Sequence, residues 1–358
     1  MAADARATEP SQSAPRYAAA GVDISANDRL IPRFQALAEG ATRPEVLGGV
    51  GPFSGLFDLS SYQAPLLVAS TDGVGTKVLI ARAVGRFDGV GEDLVNHCIN
   101  DILTAGARPL FFLDYLANNG LSEDQKVDLV RGVARACRSA GMALLGGETA
   151  DMPDLYRPGD FDLAGTIVGV VEKGRQIDGS GIAAGDALLA LPSSGLHTNG
   201  YSLVRAIFGL HGDDPGRDAE TLLTASVGLA ESLADALLQP HLAYWPALET
   251  VLPRCKGIAH ITGGGVPGNL ARVLPPGTAA RVRRGTWPQP PVFELLQRRG
   301  DVSDDEMFRV FNMGVGLILV VATDDVRDVQ ASLPNTSLIG EIVPESDQPR
   351  VQIVPPDH

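Results

Sequence analysis

Cysteine is scarce in this sequence. The chain of 358 residues contains three cysteines, Cys98, Cys137 and Cys255, which lie far apart. An odd number of widely spaced cysteines predicts neither a disulfide framework nor a zinc cluster. We therefore expect three small buried side chains in a protein that resides in a reducing compartment.

Positive charge is also in short supply. Lysine and arginine number 29 against 43 aspartates and glutamates, which gives a net charge of −14, and no basic run stands out. This balance argues against nucleic acid and anionic membranes as partners. A phosphorylated substrate would have to be held locally, by backbone N–H groups, a few basic side chains or bound cations.

Long hydrophobic runs are missing as well. No stretch is apolar enough to span a bilayer, and the first twenty residues lack the apolar centre of a secretory signal. Residues 1–16 are expected to form a disordered tail. Because a single core rarely grows beyond about 250–300 residues, two domains are predicted, 17–174 and 175–358, with the boundary in a glycine-rich stretch.

What the chain does contain is an alternation of apolar strands and amphipathic helices. A helix over about 92–105 is predicted from its spacing of apolar residues, and a second helix is expected to follow a capping box at Ser122 and Gln125. This order predicts an α/β or α+β protein. Strands are predicted at 65–71, 110–117, 142–147, 162–173, 187–192, 337–343 and 350–354, and in the segments IAHI and VGLILVVAT.

The stretch ASTDGVGTKVLI, residues 69–80, joins a strand to a helix through two glycines. It does not fit the Walker A spacing. Gly73 and Gly75 would allow backbone N–H groups, with Thr76, to face phosphate oxygens, and Lys77 would neutralise charge. Asp72 fits such a site only if Mg²⁺ lies between its carboxylate and the phosphate. The alternative is an ordinary turn capped by the aspartate.

The helix over 92–105 carries a polar stripe opposite its apolar one. Short polar side chains are poor helix formers, so this stripe is more typical of a lined cavity than of a solvated face. Asp101, near the helix end, is the best metal ligand among them. The segment GGETAD places Glu148 at the end of a strand, and Asp72, Asp101 and Glu148 together form a plausible set for one or two Mg²⁺ ions.

Two polar loops follow strands in the second half. In PSSGLHTNG, small residues could cradle an anion, namely Ser193, Ser194, Gly195 and Asn199, and His197 could touch a substrate. In HITGGGVPGN, Gly263, Gly264 and Gly265 precede a helix predicted over LARVL, and His260 is a candidate acid or base. The alternatives are a capped turn and a structural histidine.

The glycine-rich segment over residues 42–57 is expected to form no regular element. It is a candidate flap over a nucleotide, with Arg43 as a phosphate contact, or else a flexible linker.

With these segments in view, the chain resembles the phosphoribosylformylglycinamidine cyclo-ligases, also called aminoimidazole ribonucleotide synthetases. The resemblance runs from about residue 17 to the last strands, and residues 1–16 lie outside it. It rests on segments in the family's order, among them YAAAGVDI, TRPEVLGGVGPFSGLF, STDGVGTK, NDILTAGARPLFFLDYLA, LLGGETADMP, SSGLHTNGYSLVR, HITGGGVPGN and FNMGVGL.

The resemblance implies the ATP-dependent closure of an imidazole ring in purine biosynthesis, in the cytoplasm. It implies a two-domain α/β fold whose N-terminal sheets pair across a homodimer, with the ATP site near the interface. Asp72, Lys77, Asp101 and Glu148 would lie in the ATP–Mg²⁺ region. The loops over 193–199 and 263–265 would surround phosphates, and His197 and His260 would assist the chemistry.

The chain departs from the family in two places, and one alternative stays open. No lysine precedes TRPEV, which leaves Arg43 as the basic group there, and Asp151 replaces a glutamate often seen at its position. The alternative is a sibling enzyme on the same scaffold, of the selenophosphate synthetase or thiamine-phosphate kinase type. A selenium enzyme would want a reactive cysteine near its N-terminus, whereas the first cysteine here, Cys98, lies in an apolar stripe.

Overall fold

The computed structural model describes residues 24–48, 54–224 and 230–355, with side chains described from residue 29 onward. The predicted tail over 1–16, and most of the glycine-rich part of the predicted flap, lie outside these ranges. Within them, two β-sheets of four and six strands are accompanied by helices, and a third, two-stranded sheet is minimal. The class is α/β, as the sequence predicts.

The first half of the chain builds the four-stranded sheet. Its helices are α1 (Ile24–Glu39), α2 (Lys77–Val84), α3 (Asp88–Leu103) and α4 (Glu123–Ser139). The strands of that sheet are β3 (Pro65–Gly73), β4 (Arg108–Asn118), β5 (Ala143–Asp151) and β6 (Phe161–Glu172). The two-stranded sheet consists of β1 (Val46–Leu47) and β2 (Leu56–Phe57).

The second half builds the six-stranded sheet. Its strands are β7 (Ala187–Pro192), β8 (Cys255–His260), β9 (Thr278–Arg283), β10 (Val315–Val321), β11 (Ser337–Pro344) and β12 (Val351–Val354). Its helices are α5 (Tyr201–Phe208), α6 (Pro215–Thr224), α7 (Leu233–Leu237), α8 (Trp245–Leu248), α9 (Gly265–Leu270), α10 (Pro291–Gly300), α11 (Asp304–Val310) and α12 (Val326–Ser332), with 3₁₀ turns at Leu252–Arg254 and Thr323–Asp325.

The four-stranded sheet has the order β3-β6-β4-β5, and only β4 and β5 are parallel. Helices α3 and α4 pack on each other through glycine: a Cβ on Gly132 would lie 1.9 Å from the carbonyl oxygen of Asp88. The opposite face of the sheet is open, because Leu67, Leu113 and Tyr115 are 60%, 38% and 42% exposed. Apolar side chains at such exposure mark a surface that another molecule can cover.

The six-stranded sheet has the order β12-β9-β11-β7-β10-β8. All seven residues of β10 are buried, which explains why its sequence is an uninterrupted apolar run. Its neighbour β8 ends at His260, opposite Leu317 of β10. The sheet therefore delivers His260 to the edge that faces the first half.

Most of the predicted elements are confirmed within a few residues. The capping box at Ser122 and Gln125 is present, and Cys98, Cys137 and Cys255 are buried free thiols. Among the described residues, no helix is long and apolar enough to cross a bilayer.

Two predictions of local structure are wrong. The segment 42–57 does contain regular structure, since Val46–Leu47 pairs with Leu56–Phe57 in antiparallel fashion. The helix predicted over LARVL instead begins at Gly265 and ends at Leu270. Gly264 and Gly265 have positive φ angles, so the chain turns earlier than the run of glycines suggests.

Candidate active site

The polar stripe of α3 is buried between the two halves of the protein. Asp93 and Asn100 are inaccessible to solvent and His97 is nearly so. These side chains contact the loop 193–200 and the segment 239–242 rather than an open cavity. The side chains of the predicted stripe therefore do gather, and most of them bond to protein groups.

Two carboxylates lie at the open end of this stripe. His97 Nε2 lies 2.8 Å from Asp72 Oδ2 and 3.9 Å from Asp101 Oδ2. Asp101 also accepts a hydrogen bond from Ser70 Oγ at 2.8 Å. Asp72 at the end of β3 and Asp101 near the end of α3 therefore face the same small space, and both remain partly exposed.

A hydrogen-bonded chain of rings continues inward from these carboxylates. His260 Nδ1 lies 2.8 Å from Asp101 Oδ1, and its Nε2 lies 3.1 Å from His241 Nε2. On the other side, His97 Nδ1 lies 2.7 Å from Thr198 Oγ1, and this hydroxyl lies 3.4 Å from His241 Nδ1. Four of the six histidines of the chain meet here, since His197 stacks on His241 with 3.9 Å between ring centroids.

Asn100 determines which atoms donate and which accept in part of this hydrogen-bonded cluster. Its Oδ1 accepts the backbone N–H of Tyr244, so its amide nitrogen donates, to the carbonyl of Leu242 and to His241 Nε2. His241 Nε2 therefore accepts from this amide. The contact of His260 Nδ1 with Asp101 is a hydrogen bond when Nδ1 carries the proton of the ring.

Burial and the neighbouring carboxylates shift the pKa values of these histidines in opposite directions. Burial holds the pKa of His197 and His241 well below the usual histidine range. Burial has the same tendency at His97, but Asp72 and Asp101 outweigh it and raise the pKa of that ring. Burial would raise the pKa of Asp72, yet its hydrogen bond with His97 prevails and the pKa is lowered.

Lys77 does not face the space that these carboxylates border, contrary to its predicted role at phosphate. Its side chain is 0% exposed, its Nζ lies 2.7 Å from Asp93 Oδ2, and it also donates to the carbonyl oxygens of His197 and Gln239. Burial raises the pKa of Asp93 to about 6 and lowers the pKa of Lys77. The pair links the two halves of the protein.

Arg43 is also committed to protein partners. Its guanidinium contacts Glu45 at 2.6 Å, donates to the carbonyl oxygens of Pro109 and Gly141, and lies over the ring of Phe57. These contacts fix the short hairpin β1–β2 against the sheet. The prediction that Arg43 contacts phosphate therefore finds no support in its position.

Glu148 lies apart from the other two predicted metal ligands within one chain. Glu148 of β5 lies opposite Tyr115 of β4. Tyr115 lies opposite Ala164 of β6 on its other side, and Ala164 lies opposite Gly73 of β3. Three strand spacings of 4.8 Å separate Glu148 from the Asp72 region, or about 14 Å. The structure brings Asp72 and Asp101 together, and it leaves Glu148 exposed on the open face of the sheet.

Among the predicted anion-binding residues, several have internal partners. Ser193 Oγ donates to Gly195 O, Ser194 Oγ donates to Pro240 O, and the ring of His197 is 1% exposed. Asn199 lies beside the other loop, since a Cβ on Gly263 would be 3.3 Å from its Oδ1. The two loops are thus neighbours, as a shared site requires.

The glycines of the two predicted phosphate loops differ in their surroundings. Gly263 and Gly264 are exposed, whereas a Cβ on Gly265 would lie 1.8 Å from the carbonyl oxygen of Phe308. Gly265 therefore serves packing rather than ligand contact. In the first loop, Gly73 is half-buried and Gly75 is exposed, and Thr76 Oγ1 lies 3.3 Å from Ser202 Oγ.

His241 lies outside every segment that the sequence singles out, and Thr198 lies within the predicted loop 193–199 without a role of its own. Both become part of the cluster only because segments far apart in sequence pack together. His97 was noticed only as one member of a polar stripe. The three side chains His97, Asp101 and His260 present possible ligand atoms that lie within 4.8 Å of one another.

Comparisons with known proteins cover most of the chain. The family described as AIR synthase related protein, N-terminal domain, matches residues 58–171, and its C-terminal counterpart matches residues 183–351. A phosphoribosylformylglycinamidine cyclo-ligase of Myxococcus xanthus (strain DK1622) is 53% identical over 321 residues, which is 88% of this chain and 91% of that protein. The enzyme of that name from Xanthomonas oryzae pv. oryzae (strain PXO99A) is 45% identical and covers 94% of this chain and 99% of its own.

Similar solved structures are more distant in sequence and establish the fold alone. Thiamine-monophosphate kinase from Stenotrophomonas maltophilia K279a has a TM-score of 0.65 at 22% identity and covers 90% of this chain and 95% of its own. The hydrogenase maturation protein HypE in complex with ATP has a TM-score of 0.65 at 17% identity, over 92% and 91% of the two chains. The two cyclo-ligases, by contrast, are 53% and 45% identical to this chain over most of its length, and both family domains match it in order. The chain therefore belongs to the phosphoribosylformylglycinamidine cyclo-ligase family.

Proposed function

We propose that this protein uses ATP to close the imidazole ring of 5-aminoimidazole ribonucleotide from formylglycinamidine ribonucleotide, in purine biosynthesis in the cytoplasm. The relatives at 45–53% identity carry the name of this activity. At the site, the proposal rests on one observation: Asp72 contacts His97 and Asp101 contacts His260, next to the glycine turn at the end of β3.

The reaction needs an activated oxygen. The formyl oxygen attacks the γ-phosphorus of ATP, and ADP leaves. The ribosylated amidine nitrogen then attacks the former formyl carbon, the C–O bond breaks, and phosphate leaves with that oxygen. Protons lost from nitrogen pass to a base. Two phosphate-bearing ligands must be oriented for this sequence, so positioning and charge screening are the main tasks of the protein.

The donor atoms at this place suit Mg²⁺. Asp72 and Asp101 offer hard carboxylate oxygens, which Mg²⁺ prefers together with phosphate oxygens and water. Both carboxylates are partly exposed, so each has oxygen atoms within reach of an ion from solution. When bound, Mg²⁺ would neutralise charge on the triphosphate. The backbone at Gly73 and Gly75, with Thr76, would lie next to the same phosphates.

His260 is the group proposed to handle a proton, because its Nδ1 meets Asp101 directly. His197 is proposed to act through its neighbours, since its ring is buried beneath His241. Asn199 and the exposed Gly263 and Gly264 are proposed to border the substrate, where the two loops of the second half adjoin.

The active form is proposed to be a homodimer that pairs the open faces of the two four-stranded sheets. Leu67, Leu113 and Tyr115 give that face exposed apolar side chains, and a second copy would supply the complementary apolar surface. Glu148 lies in register with Tyr115 on this face. It remains a proposed metal ligand at the interface rather than within one chain.

The test is turnover with defined substrates. Purified protein with MgATP should release phosphate only when formylglycinamidine ribonucleotide is added, and an aromatic amine should appear in equal amount. ATP turnover that instead follows thiamine phosphate or selenide would support a sibling activity. Absence of turnover with every substrate, in protein that is folded and dimeric, would contradict the proposed function.

A further inference from the structure

Two imidazoles and one carboxylate meet where the two halves of the protein join. His97 and Asp101 are four residues apart on α3, so their side chains lie on the same face of that helix. His260 reaches them from the end of β8, in the other half. One possible ligand atom from each of the three lies within 4.8 Å of the others. A tetrahedral Zn²⁺ holds its nitrogen and oxygen ligands roughly 3.3–3.6 Å apart, so small rotations of these side chains would suffice to bind it.

Each of the two imidazoles already uses one ring nitrogen within the protein. His97 Nδ1 lies 2.7 Å from Thr198 Oγ1, and His260 Nε2 lies 3.1 Å from His241 Nε2. The nitrogens that remain both face Asp101, at 3.9 Å for His97 Nε2 and 2.8 Å for His260 Nδ1. Histidines that bind metals are typically held in this way, by a partner on the nitrogen remote from the ion.

The carboxylate is the part of this cluster that solvent reaches. The side chains of His97 and His260 are 6% and 3% exposed, whereas that of Asp101 is 27% exposed. Ser70 Oγ donates to Asp101 Oδ2 at 2.8 Å and holds the carboxylate in place. An ion would therefore enter along Asp101, bind two nitrogens and one oxygen of the protein, and keep water in its fourth position. Three protein ligands and water are the usual set of a zinc site with an open position.

The two nitrogens decide which ion this set of ligands prefers. Mg²⁺ takes oxygen ligands in octahedral geometry, so a pair of imidazoles suits it poorly. Imidazole suits Zn²⁺ and the neighbouring divalent transition metals. The thiols that could compete for such an ion, Cys98, Cys137 and Cys255, are all buried.

We propose that His97, Asp101 and His260 form a site for Zn²⁺, which differs in its ligands and its ion from the Mg²⁺ site proposed at Asp72 and Asp101. The two sites share the carboxylate of Asp101, so Zn²⁺ competes with Mg²⁺. Bound Zn²⁺ would also occupy His260 Nδ1, the atom proposed to handle a proton. Zinc is therefore an inhibitor of this protein. The inhibition rests on the proposed function, whereas the binding does not.

The experiment measures zinc binding by metal-free protein without a histidine tag. Calorimetric titration with ZnCl₂ should give one tight site per chain in the wild type. His97→Gln and His260→Gln should each weaken this binding at least about 10-fold, the smallest loss that is typical when even an outer partner of a ligand is removed. His211→Gln removes an exposed histidine outside the cluster, so this matched control should bind zinc like the wild type. Co²⁺ in place of Zn²⁺ should give the intense visible bands of a four-coordinate ion, and His97→Gln should lose them.

Two results would overturn the assignment: a wild type without a saturable zinc site, or equal zinc affinity in the wild type, His97→Gln and His260→Gln. The first needs no variant, so it stands even if a substitution disturbs the fold. Zinc should also slow phosphate release by the wild type, and additional MgCl₂ should relieve the effect. Turnover that bound zinc leaves unchanged would overturn the inhibition. Protein that binds zinc at this site but has no turnover would contradict the proposed function and leave the zinc site standing, so the two failures can be told apart.

Discussion

His260 Nδ1 lies 2.8 Å from Asp101 Oδ1 although 159 residues separate them in sequence. The contact joins the end of β8, in the six-stranded sheet, to α3 of the first half. Together with the buried pair of Lys77 and Asp93 and the ring chain through His241, it makes one polar centre from both halves of the protein.

Asp101→Asn should lower turnover about 10- to 100-fold while the protein remains folded. The amide keeps the shape but loses the charge that faces His260 and the proposed cation, and such changes near a metal typically have effects of this size. Steady-state rates and circular dichroism measure the two properties. Asp213→Asn, an exposed acid in a loop, is the control and should leave both unchanged. Full activity in Asp101→Asn would remove this carboxylate from the site.

Lys77→Met should reduce the free energy of unfolding by about 3–5 kcal/mol, because it leaves the Asp93 carboxylate buried without its counter-ion. The double variant Lys77→Met/Asp93→Leu should recover much of this loss, since no charge then remains buried. Urea unfolding of the two single variants and the double variant provides the comparison. A double variant as unstable as the sum of the singles would argue against an energetic coupling between the two residues.

Gly265→Ala should destabilise the protein by at least about 1–3 kcal/mol, because its Cβ would overlap the carbonyl of Phe308 and its φ angle is positive. Gly268→Ala is the matched control in the same helix, where a Cβ meets nothing within 4 Å. Thermal unfolding should separate the two. If Gly265→Ala instead left stability intact and weakened only nucleotide binding, the predicted phosphate role of Gly265 would be restored.

Leu67→Asp should shift the protein from dimer to monomer, because it places a charge on the open sheet face, at a leucine of the edge strand β3 that is 60% exposed. Sedimentation velocity at micromolar concentration measures the change. Leu223→Asp replaces a leucine of similar exposure on α6 and should leave the oligomeric state as it was. A wild type that is monomeric would contradict the proposed pairing outright.

The ligand-free protein should lose stability as pH rises from about 4 toward 7, in part through Asp114. Burial raises the pKa of its carboxyl from 3.8 to about 7, so the folded state binds more protons than the unfolded state over this interval. The slope from one such group is at most about 1.4 kcal/mol per pH unit, and it vanishes above the folded pKa.

The matching variant is Asp114→Leu, which should be less sensitive to pH over that range and more stable at pH 8. Cys137 is the titratable neighbour on α4, and burial raises the pKa of its thiol well above its usual value, so it stays neutral throughout. Identical pH profiles for the wild type and Asp114→Leu would mean that Asp114 is not a titrating group of the folded protein.

Local patterns predicted the elements well because each depends on neighbours in sequence. The strand at 187–192, the capped start of α4 and the buried run of β10 all follow from apolar periodicity and capping chemistry. The glycine-rich segment 42–57 was misjudged because its two short strands pair only with each other, and no pattern of two residues signals this.

The residues of the candidate site were predictable from sequence to different degrees, for the same reason. Asp72 and Asp101 were predicted as metal ligands from the glycine turn and the polar stripe that carry them, and the structure places both beside His97. Lys77 and Arg43 were misplaced because a sequence shows a positive charge but not the partner that occupies it. The burial of Asp114 could not have been inferred, since its carboxyl lies against Gly147 of the next strand.

The sequence by itself determined the family, the alternation of strands and helices, and the presence of acidic groups beside flexible loops, since these are properties of residue order. The tertiary structure alone decided that four histidines meet, that Glu148 stands about three strands from Asp72, and that the carboxyl of Asp114 is buried against Gly147. Such relations arise from contacts between distant segments, and packing of the two sheets, not the spacing of residues, sets them.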